Sequence, residues 1–412
     1  MDLAYSSEYA AFRDEVRGFL ESHRHLAPAA MQRGKPNEQA KAWQQLLIEH
    51  GYAARTIPKE YGGYGAEPDI LKSHIIAEEF GRARVRPGHD GDNRLVPTLL
   101  ELGTEEQKRT YIPPTIRGEM TWCQGYSEPG SGSDLASLST KAEVDGDDFV
   151  INGQKIWTSG AQYADMIFCL VRTEPDAPKH QGISYLLFPM DTPGIEVRPL
   201  VTMTGEATFN ETFFTDVRVP TSQIVGRRGE GWFVANATLK HERGGLGDPN
   251  QAEGRFHQIV EMMREETLDG QPLMSRAAYR DRLVALQGQM LAMKFNGMRV
   301  LTHNIRDEEP GLPRWIVKLN GCELNHRMAE MAIDILGELG VLYPSKGFGG
   351  HRDEDVPHLR DAGVWQQRYM LDLGLIIGGG TAQIQKNMIG ERALGLPKEP
   401  KVADPRFGGK AA

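Results

Sequence analysis

Residues 141–157 read KAEVDGDDFVINGQKIW. Asp145-Gly146 is a dipeptide favoured by two-residue hairpins, because both central residues of a type I′ turn take positive φ, and β-branched and aromatic residues flank it. Asn152-Gly153 is a second signal of the same kind within the stretch. The reading is sheet, and it stands apart from what precedes it. YAAFRDEVRGFLESH (9–23), QAKAWQQLLIEHG (39–51) and DILKSHIIAEEFGRA (69–83) place apolar residues three and four apart, the period of a helix with one buried face. Short strand-like runs continue after it, in ISYLLFPM (183–190), IEVRPL (195–200), ATFNETFFT (207–215) and VRVP (217–220). From Gly231 the helical period returns in longer segments, FHQIVEMMREE (256–266), YRDRLVALQGQMLAMKFNGMRVLTHNI (279–305) and PRWIVKLNGCELNHRMAEMAIDILGEL (313–339).

This order predicts an α+β multidomain chain: a helical N-terminal domain over 1–120, a β-barrel or sandwich over 121–228, a helical bundle over 229–396 and a tail over 397–412. At 412 residues the chain is long for one domain. Fifty-six acids against 47 Lys and Arg give a net charge of -9, which disfavours a phosphate-neutralising surface, so no nucleic-acid partner is expected. Three widely separated cysteines form neither a disulfide framework nor a zinc pattern, and a reducing cytoplasm suits them. The runs MIFCLV and YLLF are too short to cross a membrane, and no apolar leader opens the chain.

Two stretches carry candidate chemistry. WCQGYSEPGSGSDLASL (122–138) clusters glycines and hydroxyls that let backbone N–H groups approach a carbonyl-rich or anionic ligand, although such a run is equally a plain turn. QKIWTSG (154–160) then sets Trp157 beside Thr158 and Ser159, an aromatic face with polar edges that could also be core. Weaker candidates are His351, Asp353, Glu354 and Asp355, which lack metal-ligand spacing and read as a solvated loop, so no metal is expected. GRRGEG (226–231) lacks the strand-before, helix-after setting of a dinucleotide fingerprint and reads as a turn.

Across nearly its whole length the chain resembles the acyl-CoA dehydrogenase family. The resemblance is carried in order by GTEEQKRTYIPPTIRGEMTWCQ, YSEPGSGSDL, INGQKIWTSGAQYAD, FFTDVRVP with GEGWFVANATLKHER, and GGGTAQIQKNMIGERALGLP. It implies a C-terminal four-helix bundle and FAD between sheet and bundle. It places Gln124, Tyr126 and Ser127 along the flavin ring, Gly132, Trp157, Thr158 and Ser159 in the cofactor site, and Gly380, Thr381 and Gln383 in its second half. Ser133 faces the cofactor and the acyl-CoA pantetheine, with Arg243 and Gly379 as further substrate contacts. An electron-transfer flavoprotein is the implied electron acceptor, and a homo-oligomer (dimer or homotetramer) the implied assembly, with a hetero-oligomer as the alternative.

Two departures from the family pattern shape the rest. Where many members carry an Arg-x-x-Phe-Gly contact to the adenine side of FAD, this chain has Glu266 and Asp269, leaving Arg264, Arg280 or Arg282 as substitute cations. Where medium- and short-chain members place the catalytic glutamate, this chain has Gly379. Isovaleryl-type and long-chain members take the base from the first bundle helix instead, and His241-Glu242-Arg243 stands at that point. In a helix from Gly231, Glu242 falls three and four residues along the stripe Trp232, Ala235, Leu239, which makes it the expected base. Tolerance of branched or bulky acyl groups follows from the space this leaves. A superfamily monooxygenase or nitroalkane-type oxidase, and a flavin-poor structural subunit, are the competing readings.

Overall fold

The computed structural model describes residues 6–28, 34–83, 85–242, 247–306, 308–342 and 364–398, the side chains of 241, 242 and 250 excepted. The described residues form two compact units, one ending at 242 and the other comprising 247–342 and 364–398.

The first unit opens with α1 (Ser7–His23), α2 (Glu38–Glu49), α3 (Ile70–Arg82), α4 (Leu95–Leu102) and α5 (Glu105–Ile116). Local chemistry sets their starts: Asn37 and Asp69 side chains accept from Ala40 N and Lys72 N, and Thr104 with Gln107 forms a reciprocal capping box at α5. The strands are β1 (Trp122–Gly125), β2 (Lys141–Asp145), β3 (Asp148–Lys155), β4 (Met166–Arg172), β5 (Ile183–Pro189), β6 (Ile195–Leu200), β7 (Phe209–Pro220) and β8 (Ile224–Val225). They make one eight-stranded sheet in the order β6-β7-β3-β2-β4-β5-β8, with β1 parallel to β4.

A hairpin does join β2 to β3, but Asp145 ends β2 and pairs with Asp148, so the two-residue turn is Gly146-Asp147, with Gly146 at φ +64. Asn152-Gly153 does not make a hairpin. It lies inside β3, where the register against β7 shifts, and a Cβ on Gly153 would sit 2.5 Å from Thr140 Oγ1. The glycine there answers crowding at a bulge, and the Asn152 side chain exchanges hydrogen bonds with Asp216 across the irregularity.

MIFCLV is a continuous apolar run because β4 is buried on both faces. Phe168 and Leu170 join the core of the N-terminal helices, while Ile167, Cys169 and Val171 join a second core with Leu186, Phe188 and Val217. The helix α6 (Gly231–Glu242) closes this unit, its Val234 and Ala235 in the first of those cores. Gly231 is required at its start, since a Cβ would lie 2.5 Å from the Ser184 carbonyl carbon.

The second unit contains α7 (Pro249–Glu265), a small hairpin of β9 (Thr267–Leu268) and β10 (Gln271–Pro272), then α8 (Ala277–Ile305), α9 (Leu312–Leu336), α10 (Val364–Ile377) and α11 (Ala382–Met388). Phe256, Ile259 and Met263 of α7, Leu286 and Met290 of α8, Met328 and Met331 of α9, and Trp365 of α10 share its core. The bundle expected from the helical period is thus built from long helices around one apolar centre. No helix among the described residues is long and apolar enough to cross a membrane.

Candidate active site

In the first unit the candidate residues sit on two neighbouring segments, the exit of β1 and the exit of β3. Ile156 N donates to Ser127 O at 2.9 Å, which holds the segments side by side. Beneath them Lys155, 0% exposed, bonds Glu128 Oε1 at 2.8 Å and Tyr126 O at 3.2 Å. Glu128 also accepts from Ser139 N and from Thr140 N at 2.6 and 2.9 Å. Burial works against its charge, but the lysine and these donors outweigh it and hold the carboxyl at about 2. This ion pair fixes the backbone from Tyr126 to Glu128, and neither member was singled out in the sequence. Both lie inside the quoted motifs, and a lysine closing a strand that otherwise alternates was the available signal.

The candidates differ in what they present. Gln124 accepts from Arg94 Nη1 at 3.0 Å, and Arg94 is itself paired with Asp92 at 2.7 Å. Tyr126 turns its ring into the core, edge-on to Phe168 and Tyr185. Ser127 is half-buried, and Gly132, Ser133 and Ser159 are exposed. Gly130 and Gly132 have ordinary negative φ and nothing within 4 Å of an added Cβ, so the protein itself does not demand glycine at either position. A close-approaching ligand would.

Trp157 combines three features. It is 56% exposed, it has φ +61, and its ring meets Phe209 edge-on at 5.7 Å. A left-handed conformation on a bulky residue costs about 1–2 kcal/mol. The surroundings enforce it: Thr158 N donates to Asn210 O, Asn210 Nδ2 donates back to Thr158 O, and Gly160 N donates to Thr208 O. Thr158 is fully buried, and its Oγ1 has no hydrogen-bond partner among the described residues.

On α6, Ala235 and Thr238 are fully buried and Leu239 packs against the core. Thr238 Oγ1 lies 3.0 Å from Thr98 Oγ1 of α4 and 3.5 Å from Tyr185 Oη, a buried polar junction that fixes the helix. Glu242, its last residue, is one turn beyond Thr238; its side chain, and Arg243, lie outside the described residues. The cluster His351, Asp353, Glu354 and Asp355 also lies outside them.

In the second unit α10 ends in the glycine turn. Gly379 and Gly380 take φ +65 and +93, and a Cβ on Gly380 would sit 2.8 Å from Gln385 Nε2. Any side chain at 379 would therefore carry left-handed strain. Thr381 caps α11 by accepting from Ile384 N at 3.2 Å, and Gln383 is exposed. Asp269-Gly270 forms the turn of the β9–β10 hairpin, both at positive φ, and Arg276 bonds Asp269 Oδ2 at 3.0 Å. Of the substitute cations, Arg282 is paired with Asp334 at 2.6 Å, while Arg264 and Arg280 are exposed.

Family models for the acyl-CoA dehydrogenase N-terminal, middle and C-terminal domains match residues 6–119, 123–217 and 229–394. The acyl-CoA dehydrogenase IpdE1 of Mycobacterium tuberculosis is 38% identical over 403 residues, covering 95% of this chain and 98% of that protein. Among solved structures, the Tcur3481-Tcur3483 steroid ACAD is 31% identical with a TM-score of 0.79, covering 97% of this chain and 100% of that one. The ChsE4-ChsE5 complex of Mycobacterium tuberculosis is 30% identical with a TM-score of 0.77 at the same coverage.

Proposed function

The chain belongs to the acyl-CoA dehydrogenase family of flavin oxidoreductases, and from that premise we propose that it binds FAD and converts an acyl-CoA thioester to the trans-2-enoyl-CoA with Glu242 as base. The observation that carries this division of labour is the conformation of Gly379. At φ +65 the position suits glycine, and a glycine supplies a backbone N–H but no carboxylate. The base must come from another element, and Glu242 ends a helix whose buried row Ala235, Thr238 leads to it.

The residues of the first unit fit a flavin. Trp157 offers a strained, exposed aromatic face, Ser127 and Ser159 offer hydroxyls beside it, and Gly130 and Gly132 leave open backbone. When bound, FAD supplies the hydride acceptor for the substrate β-carbon. The chain's own part is to bind the thioester carbonyl through N–H groups of the glycine turn, which stabilises enolate charge and acidifies the α-carbon. Glu242 then takes the α-proton. Ser133, Arg243 and Gly379 contact the thioester, and Gln124, Tyr126, Thr158, Gly380, Thr381 and Gln383 complete the cofactor site.

The acyl group is read as branched or bulky, in keeping with the small turn at 378–380 and with similarity to a steroid dehydrogenase. Electrons leave to an electron-transfer flavoprotein. Assembly is read as oligomeric because α8 exposes Val284, Leu291, Phe295 and Met298 at spacings of seven, four and three. A second, different chain is favoured over a homotetramer, since the Arg-x-x-Phe-Gly position is taken by a hairpin turn whose Asp269 is acidic and paired within the chain. The test is a panel of straight, branched and steroid-side-chain CoA thioesters, with an artificial electron acceptor, offered to the chain alone and co-expressed with a paralogue. Flavin bleaching with enoyl-CoA formed on a branched or bulky thioester is expected. A colourless protein inactive in every combination would contradict the reading.

A further inference from the structure

Lys318, on α9, is 5% exposed, yet it makes no ion pair among the described residues. Glu323, just over one helical turn on, is engaged by Arg327 at 3.6 Å. A desolvated lysine without a counter-charge is costly and uncommon. Its Nζ instead donates to two backbone carbonyls of one turn, Ile376 O at 3.0 Å and Gly380 O at 2.7 Å. Gln385, 3% exposed, donates to the carbonyl between them in the chain, Gly379 O at 3.2 Å. The Gly379–Gly380 and Gly380–Thr381 peptides are therefore each held at the oxygen end, the first by Gln385 and the second by Lys318.

A trans peptide points its N–H opposite to its C=O. Tying the Gly379 carbonyl to Gln385 and the Gly380 carbonyl to Lys318 directs the N–H groups of Gly380 and Thr381 away from those two side chains. The cation at the Gly380 oxygen also polarises the Gly380–Thr381 peptide, which strengthens the Thr381 N–H as a donor. The same turn of α9 seats the chain that resumes after α6. Gly321 packs against Gly247 so closely that a Cβ on it would meet Gly247 O at 2.4 Å, and a Cβ on Gly247 would meet Val317 O at 2.6 Å. Gly247 is five residues beyond Glu242 in sequence. One helical turn thus anchors the glycine turn and the segment following the proposed base.

We propose that Lys318 is a positioning residue for α-proton removal, orienting and polarising the glycine turn that binds the thioester carbonyl. The inference rests on the function proposed above. It is tested by α-proton exchange from a saturating acyl-CoA into D₂O, followed by mass spectrometry of the recovered thioester with no electron acceptor present. Lys318→Met should retain flavin and acyl-CoA affinity but slow exchange by about 10- to 100-fold, the scale of a misplaced catalytic group. Lys318→Gln, which keeps a donor without the charge, should fall between. If Lys318→Met does not fold, Gln385→Leu, which frees the Gly379 carbonyl alone, should show the same selective slowing. A folded, flavin-loaded Lys318→Met or Gln385→Leu exchanging at the parental rate overturns the role of Lys318 only. A parent that exchanges α-protons from no thioester overturns the underlying function as well.

Discussion

Lys155 in the sheet unit and Lys318 in the helical unit are both buried, and both donate to backbone carbonyls of a candidate site segment. They differ in what balances the charge. Lys155 meets Glu128 at 2.8 Å, so the pair is neutral as a whole and acts as a rivet under the candidate cofactor loop. Among the described residues Lys318 meets only carbonyls, and its charge acts on the end of α10 and the glycine turn. The ion pair serves geometry where a ring must be cradled, and the lone cation serves geometry and field where an oxyanion must form.

If that distinction is right, losing Lys155 should chiefly cost stability. Lys155→Met leaves Glu128 buried without its partner, a loss of about 3–5 kcal/mol by chemical denaturation with release of flavin. Adding Glu128→Gln should recover much of it. A Lys155→Met protein no less stable than Lys318→Met would break the comparison.

Acid should expose the same rivet. Glu128 has its folded-state value depressed from 4.5 to about 2, so its contribution is fully present above about 4.5 and is lost as pH falls through 2. The amount is roughly 3 kcal/mol, and Glu128→Gln should flatten this part of the pH–stability curve. Lys318→Met comes next in stability, at about 1–3 kcal/mol for two partly buried carbonyls left unpaired. Its larger effect should be kinetic.

The smallest stability change is expected at Trp157. Trp157→Gly relieves roughly 1–2 kcal/mol of left-handed strain, offset by roughly 0.5–1 kcal/mol of added chain entropy and the lost contact with Phe209. Stability should hardly move while flavin retention, read by absorbance after gel filtration, drops. Unchanged retention would separate the strained tryptophan from cofactor binding.

How much of this was legible in the sequence depends on whether a feature is local. The change from helical period to strands to helices could be read because side-chain periodicity is local, and the hairpin at Gly146 could be read to within one residue because turn chemistry is local. Asn152-Gly153 misled because its meaning depends on β7 and Thr140, far away in the chain. Lys155, Glu128 and Lys318 went unmarked for the same reason. A lysine in a helix reads as solvated until the fold buries it, and Lys318 is buried by contact with residues about sixty positions on. The motif residues Trp157, Gly379 and Thr381 were legible through family resemblance, but the strain at Trp157 and the anchoring of the turn are properties of packing.

The central claim is that the glycine turn supplies donors and Glu242 takes the proton. Its most direct test is anaerobic stopped-flow reduction of FAD-loaded Glu242→Gln by the preferred acyl-CoA, compared with the parent at equal flavin content. Intact flavin and acyl-CoA binding is expected, with reduction slowed by roughly 10²-fold or more, the usual scale for a lost general base. Reduction at the parental rate would place the base elsewhere and contradict the account.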